Sequence, residues 1–203
     1  MKKQYGKAVL AFVLSALIFS CAGLPPEVPE KPLPKPEPPE HIMGRGLVSA
    51  DKLALFLEES NPRAGGDFVR NLASFYIEEA AAEGVNHDAA FAQMCLETGF
   101  LRYGGLVTAD MNNFCGLGAI GPGQRGETFP DVRTGVRAHI QHLKAYASEA
   151  PLNRELVDPR YRWVKKGSAL VIADLAGKWA TDREYGNKIG AILDRLYGAA
   201  FNR

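Results

Sequence analysis

The chain has 203 residues, 46% of them apolar and 23% charged, a balance suited to one globular core with accessory segments. Its formal net charge of +1 provides no broad basic field of the kind that displaces counterions from nucleic acid, so no nucleic-acid partner is expected.

In chain order, Lys2, Lys3 and Lys7 precede an apolar run from Ala8 to Phe19 that is too short for a permanent membrane span, and residues 1–20 read as a signal peptide. The run ends in Leu17-Ile18-Phe19-Ser20-Cys21, which resembles a bacterial lipobox, with Phe19 bulkier than usual at its position. That resemblance implies cleavage before Cys21, a diacyl anchor on its thiol, and a membrane partner reached through lipid. The expected location is the cell envelope, on the periplasmic or wall side. Residues 21–46 then form a linker, because LPPEVPEKPLPKPEPPE (residues 24–40) is Pro-rich, alternates in charge and lacks aromatics. Such a segment favours extended polyproline II and acts as a semi-rigid spacer.

From Leu47 to Arg203 the composition becomes that of a folded, mainly helical domain, expected to act as a monomer. Ser49 is a candidate N-cap for a helix through Leu53, Phe56 and Leu57 that stops before Pro62. Asp67 begins a second helix, with Phe68, Leu72, Phe75, Tyr76 and Ala80 at helical spacing up to Gly84. Asn86 opens a third, ending near Gly99. Residues 104–131 are rich in Gly, Asn and Pro and suit ordered loops or short strands. Helices are expected again from about Thr134 to Tyr146, around Ala169–Gly177, and over Asp182–Gly198. Cys95 and Cys115 are either a disulfide or two buried thiols; spacing does not separate these.

Glu97 stands at the end of the third helix, where unpaired carbonyls carry partial negative charge, among the apolar Phe91, Met94, Phe100 and Leu101. Both surroundings disfavour ionisation, so a raised carboxyl pKa is expected, as a general acid near neutral pH requires. Gln93 lies one turn earlier on the same face, placed to orient the acid or to bind sugar. His139 and His142 lie three apart among Ile140 and Leu143 and read as structural; with no HExxH pattern or third ligand nearby, no metal is expected. Tyr161, Trp163 and Trp179 are candidates for stacking on sugar rings. Asp158-Pro159-Arg160-Tyr161 and Lys165-Lys166-Gly167-Ser168 read as a turn and a helix start without chemistry.

The segment AQMCLETGF, followed in order by NNFCGLGA and by Lys178-Trp179-Ala180-Thr181-Asp182-Arg183-Glu184-Tyr185, resembles the glucosaminidases of glycoside hydrolase family 73, which include autolysins and flagellar-rod hydrolases. The likeness covers most of Leu72 to Tyr197, with Trp179 standing where the family's YATD pattern has a Tyr. It implies a lysozyme-like, mainly α domain with a small loop or β lobe forming a glycan cleft. By the same resemblance the chain hydrolyses the β-1,4 bond after N-acetylglucosamine in peptidoglycan strands, without a cofactor. Glu97 maps onto the catalytic acid and Tyr185 onto an active-site Tyr; Asn113, Phe114 and Gly116 map onto the loop flooring the cleft, and Trp179 and Asp182 onto a substrate-binding motif. A glycosidase needs a second group. Glu127 is the candidate there, with the substrate's own acetamido group as the alternative. Other readings are a muramidase or a lytic transglycosylase on the same fold, although NNFCGLGA replaces the GLMQ-like motif usual in the latter, and a non-catalytic peptidoglycan-binding lipoprotein.

Overall fold

A computed structural model describes residues 34–119, 121 and 123–202; the segment read as a signal peptide, Cys21 and most of the Pro-rich stretch read as a linker lie outside the described residues. Among the described residues, five α-helices form the body: α1 (Ala50–Ser60), α2 (Asp67–Glu83), α3 (His87–Glu97), α4 (Val132–Ala147) and α5 (Tyr185–Phe201). Among the described residues the only β pairing is in isolated bridges, and no helix is long and apolar enough to cross a membrane.

The centre is α3. From His87 to Cys95 all of its residues are buried, as expected of a helix packed on every side. Its start is fixed as the sequence suggests: the Asn86 side chain accepts from the backbone N–H of Asp88 and Ala89, satisfying two of the donors that open a helix. Asp88 then reaches out of the helix, accepting from Leu47 N at 2.7 Å and from the Tyr197 hydroxyl at 2.8 Å. One buried carboxylate thereby ties the domain entrance and α5 to α3.

Helices α2 and α4 pack against each other beside it and are joined by buried ions. The Glu79 carboxylate accepts from Arg133 at 3.0 Å and Arg137 at 2.9 Å, and Glu83 accepts from Lys144 Nζ at 2.7 Å and from the backbone N–H of Asn153 and Arg154. The Asp131 side chain caps α4 by accepting from Thr134 N at 2.8 Å, so α4 starts slightly earlier than its apolar spacing indicates. Gly135 is required by close approach, since a Cβ there would stand 1.8 Å from the carbonyl oxygen of Asn112. The loop lobe is thereby seated on the first turn of α4.

The structure alters two expectations and decides one that the sequence left open. Ordered packing starts at Glu40, inside the segment assigned to the linker. Ile42 is buried and bonds Leu170 O and Asn86 N through its backbone, while His41 and Met43 pair with Val171 and Val85. The helix expected over Ala169–Gly177 is instead a 3₁₀ turn at Ile172–Leu175, because the preceding backbone is spent on pairing with residues 40–42. Cys95 and Cys115 are separate buried thiols rather than a bridge.

Candidate active site

Helix α3 ends at Glu97 through an unusual turn. Gly99, Phe100 and Leu101 all have positive φ, at 56°, 57° and 61°. This region favours glycine, and each non-glycine residue there costs on the order of 1 kcal/mol or more. The turn is held by Phe100 N to Cys95 O at 2.7 Å, Leu101 N to Thr98 Oγ1 at 2.9 Å, and Asn61 Nδ2 to Phe100 O at 2.7 Å. Packing of Phe100 on Phe56, ring centroids 6.1 Å apart, adds apolar contact. The strained turn gives Glu97 a fixed stem.

The Glu97 carboxyl is asymmetric. Oε1 accepts from the Tyr185 hydroxyl and from Trp179 Nε1 at 3.1 Å. Oε2 faces Gly116, whose ideal Cβ would stand 3.4 Å from it at φ 68°, a conformation that a side chain would strain. Burial raises the Glu97 carboxyl above its ordinary range, and the bonds from Tyr185 and Trp179 draw it part of the way back. The Tyr185 hydroxyl is itself raised, first by burial and then by the neighbouring Glu97, so it remains a neutral donor.

Behind Tyr185 lies a line of buried polar groups. Gln93 Nε2 donates to the Tyr185 oxygen at 2.8 Å, and Gln93 Oε1 meets His139 Nε2 at 2.9 Å. His139 Nδ1 meets the Tyr76 hydroxyl at 2.9 Å. An amide oxygen can only accept, so the His139 proton sits on Nε2 and Tyr76 donates to Nδ1. Every donor then points toward Glu97. Burial lowers the His139 pKa to about 3, keeping the ring neutral.

Glu97 lines the first of two hollows that share Gly116 and Ala119, and Trp179, which bonds it, lines the second. One is lined by Thr98, Tyr103, Leu106, Val107 and Asn113, and the other by Cys115, His142, Tyr146, Arg160, Trp163, Lys178 and Trp179. Among the described residues, Glu97 is the only carboxylate lining either.

Of the residues expected at the site, Glu97, Tyr185, Gln93, Trp179 and Gly116 come together. Gln93 is buried and acts on Tyr185 rather than facing open space. Asn113 is fully buried beneath the first hollow: its Nδ2 donates to Leu117 O and Glu127 O, both at 2.9 Å, and its Oδ1 accepts from Leu117 N at 3.0 Å. It shapes the loop. Phe114 lies in the core instead of on the cleft floor, and Asp182 stands at the start of α5, accepting from Glu184 N and Lys188 Nζ away from both hollows. Glu127 packs over Gly118 with its carboxylate 4.0 Å from Arg160, lining neither hollow. Sequence reasoning missed His139 as part of the site, and also His142, Asp158 and Arg160. The one local signal for the last two was the turn-forming Asp-Pro pair, in which Asp158 Oδ1 accepts from Arg160 N at 2.8 Å.

Comparison with known proteins places this arrangement in context. Residues 73–198 match the sequence model of the Glucosaminidase family, described as mannosyl-glycoprotein endo-beta-N-acetylglucosaminidase. A protein of Borreliella burgdorferi described as uncharacterized is 43% identical over 155 residues, 76% of each chain. Among solved structures, S. aureus autolysin E in complex with a muropeptide is similar with a TM-score of 0.49 and 13% identity, over 78% of this chain and 70% of that one.

Proposed function

The chain belongs to the Glucosaminidase family and is a glycoside hydrolase, and from that premise we propose that it cuts peptidoglycan strands after N-acetylglucosamine with Glu97 as the general acid. The observation that carries the acid role is the asymmetry of the Glu97 carboxyl. Two donors occupy Oε1, which leaves the catalytic proton on Oε2, beside Gly116, a residue that lines both hollows. Burial favours the protonated form of that carboxyl, as a general acid requires. Transfer to the glycosidic oxygen lets the bond break through an oxocarbenium-like state, and the Tyr185 and Trp179 donors stabilise the carboxylate left behind.

For the second half of the reaction, the absence of any other carboxylate lining the hollows, among the described residues, favours assistance by the substrate's own 2-acetamido group over Glu127. That route retains anomeric configuration. A peptidoglycan substrate is supported by the ordered motifs shared with wall autolysins and by the N-terminal segment. Cleavage before Cys21, lipidation of its thiol and the Pro-rich spacer together hold the monomeric domain at the cell envelope within reach of the wall.

Digestion of purified peptidoglycan, followed by borohydride reduction and mass spectrometry, tests the reading. New N-acetylglucosamine reducing ends are expected. N-acetylmuramic acid ends mean a muramidase, anhydro ends a transglycosylase, and no release of ends a binding protein; each would displace the proposal.

A further inference from the structure

The hollow on the Trp179 side of Glu97 is electrically unlike its neighbour: Arg160 and Lys178 line it with no carboxylate, whereas the other half carries no charged side chain but Glu97. We propose that this arm is a carboxylate-binding subsite, and that it sets the direction in which a glycan strand lies by receiving the sugar that bears an acidic substituent. The inference rests on the hydrolase reading above and extends it.

Three buried polar side chains are committed to presenting Arg160. Gln141, fully buried on α4, donates to Glu155 O at 2.8 Å and accepts from Val157 N at 2.9 Å and Asp158 N at 3.2 Å. One turn of the same helix supplies His142, whose Nδ1 meets Asp158 Oδ2 at 2.7 Å, and the other Asp158 oxygen accepts from Arg160 N. Burying a Gln, a His and an Asp is unfavourable unless each is fully paired. Here they are paired, and the result is a rigid loop ending at Arg160. The guanidinium itself has no hydrogen bond among the described residues; its one ion pair, to Glu127, spans 4.0 Å. An Arg carried on a held backbone, its guanidinium partly exposed and without a close partner, suits the bidentate geometry of a carboxylate.

The rest of the arm suits a sugar. Trp163 is 69% exposed at its rim, and His142 stands edge-on to Trp179 with ring centroids 5.0 Å apart. Trp179 also bonds Glu97. A ring held in this arm therefore lies next to the acid, and its substituent decides which bond reaches Glu97.

A sugar carboxylate in wall glycan has two sources, the lactyl ether of N-acetylmuramic acid where no peptide is attached and the peptide stem where one is. The test is calorimetric titration of the full-length chain carrying Glu97→Gln, which prevents turnover. The probes are the disaccharide of N-acetylglucosamine and N-acetylmuramic acid, the same disaccharide with its carboxyl converted to an amide, and the disaccharide dipeptide. A lactyl source gives tightest binding of the free acid, and a stem source tightest binding of the dipeptide. In either case the carboxylate form binds about tenfold more tightly than the amide, the scale of one charge-assisted bond. Adding Arg160→Gln abolishes that preference and leaves amide binding unchanged. Equal binding of acid, dipeptide and amide forms, or a preference that survives Arg160→Gln, would overturn the proposal. Turnover is read separately. A chain that cuts glycan without discriminating the forms keeps the hydrolase reading and loses this one, and one that discriminates but cuts nothing does the reverse.

Discussion

His139 donates from Nε2 to the side-chain oxygen of Gln93 across 2.9 Å, and neither residue reaches solvent. This contact sets the direction of everything between it and Glu97. It turns the Gln93 amide so that its NH₂ faces Tyr185, and Tyr185 can then spend its own proton only on Glu97. A histidine and a glutamine buried this deeply are costly unless paired, and the pairing is complete from Tyr76 to the carboxyl.

His139→Phe leaves the Gln93 oxygen and the Tyr76 hydroxyl without partners, at about 1–3 kcal/mol each. It also frees the amide to turn over. A lower melting temperature and a fall in kcat are expected, with both largely restored in His139→Gln, which can still donate. The ring's pKa of about 3 against its ordinary 6.5 adds a pH signature. Unfolded chain takes up a proton below about pH 6.5 that the native ring refuses, so the ring's contribution to stability is present above that pH and lost as pH falls toward 3. Melting temperatures from pH 7 to pH 4 should therefore decline less steeply in His139→Gln than in the parent. Parallel curves would contradict the buried neutral ring.

Tyr185→Phe and Trp179→Phe each remove one donor from Glu97 Oε1. Both bonds hold the carboxyl pKa down against burial, so their loss moves it further up. The alkaline limb of kcat should shift to higher pH in both variants, with kcat lower by about tenfold or more because the ionised acid is less stabilised. An unmoved limb in the pH–rate profile would separate these residues from the acid.

Glu97→Gln should stabilise the fold at neutral pH. With the folded carboxyl raised, native protein holds a proton that unfolded chain releases, so stability is full below the ordinary carboxylate range and falls as pH rises through the folded value. Glutamine carries no such penalty. The variant's melting temperature should exceed the parent's at pH 7, and the two should converge near pH 4; a variant less stable at pH 7 would contradict a strained acid.

Local chemistry made part of this site legible. Asn86 as a cap, Glu97 at a helix end and Gly99 beyond it follow from rules that act within a few residues, and the structure keeps all three. The positive φ values of Phe100 and Leu101 were not readable, because they depend on Asn61 and Phe56 from another part of the chain. His139 has the spacing of a core residue and is one; only the approach of α3 to α4 makes it a partner of Gln93. Arg160 was invisible for a similar reason, since its place is set by Gln141 and His142. Phe114 shows the converse: inclusion in a functional motif did not put its side chain in the cleft.

The central claim is that Glu97 carries the catalytic proton. Its most direct test is the rate at which Glu97→Gln releases new reducing ends from purified peptidoglycan, measured beside the parent chain and with folding checked by circular dichroism. The amide keeps the shape of the acid and can still accept at the Oε1 position, but has no proton to give. A loss of about a thousandfold or more with folding intact is predicted, and a variant within tenfold of the parent rate would contradict the assignment.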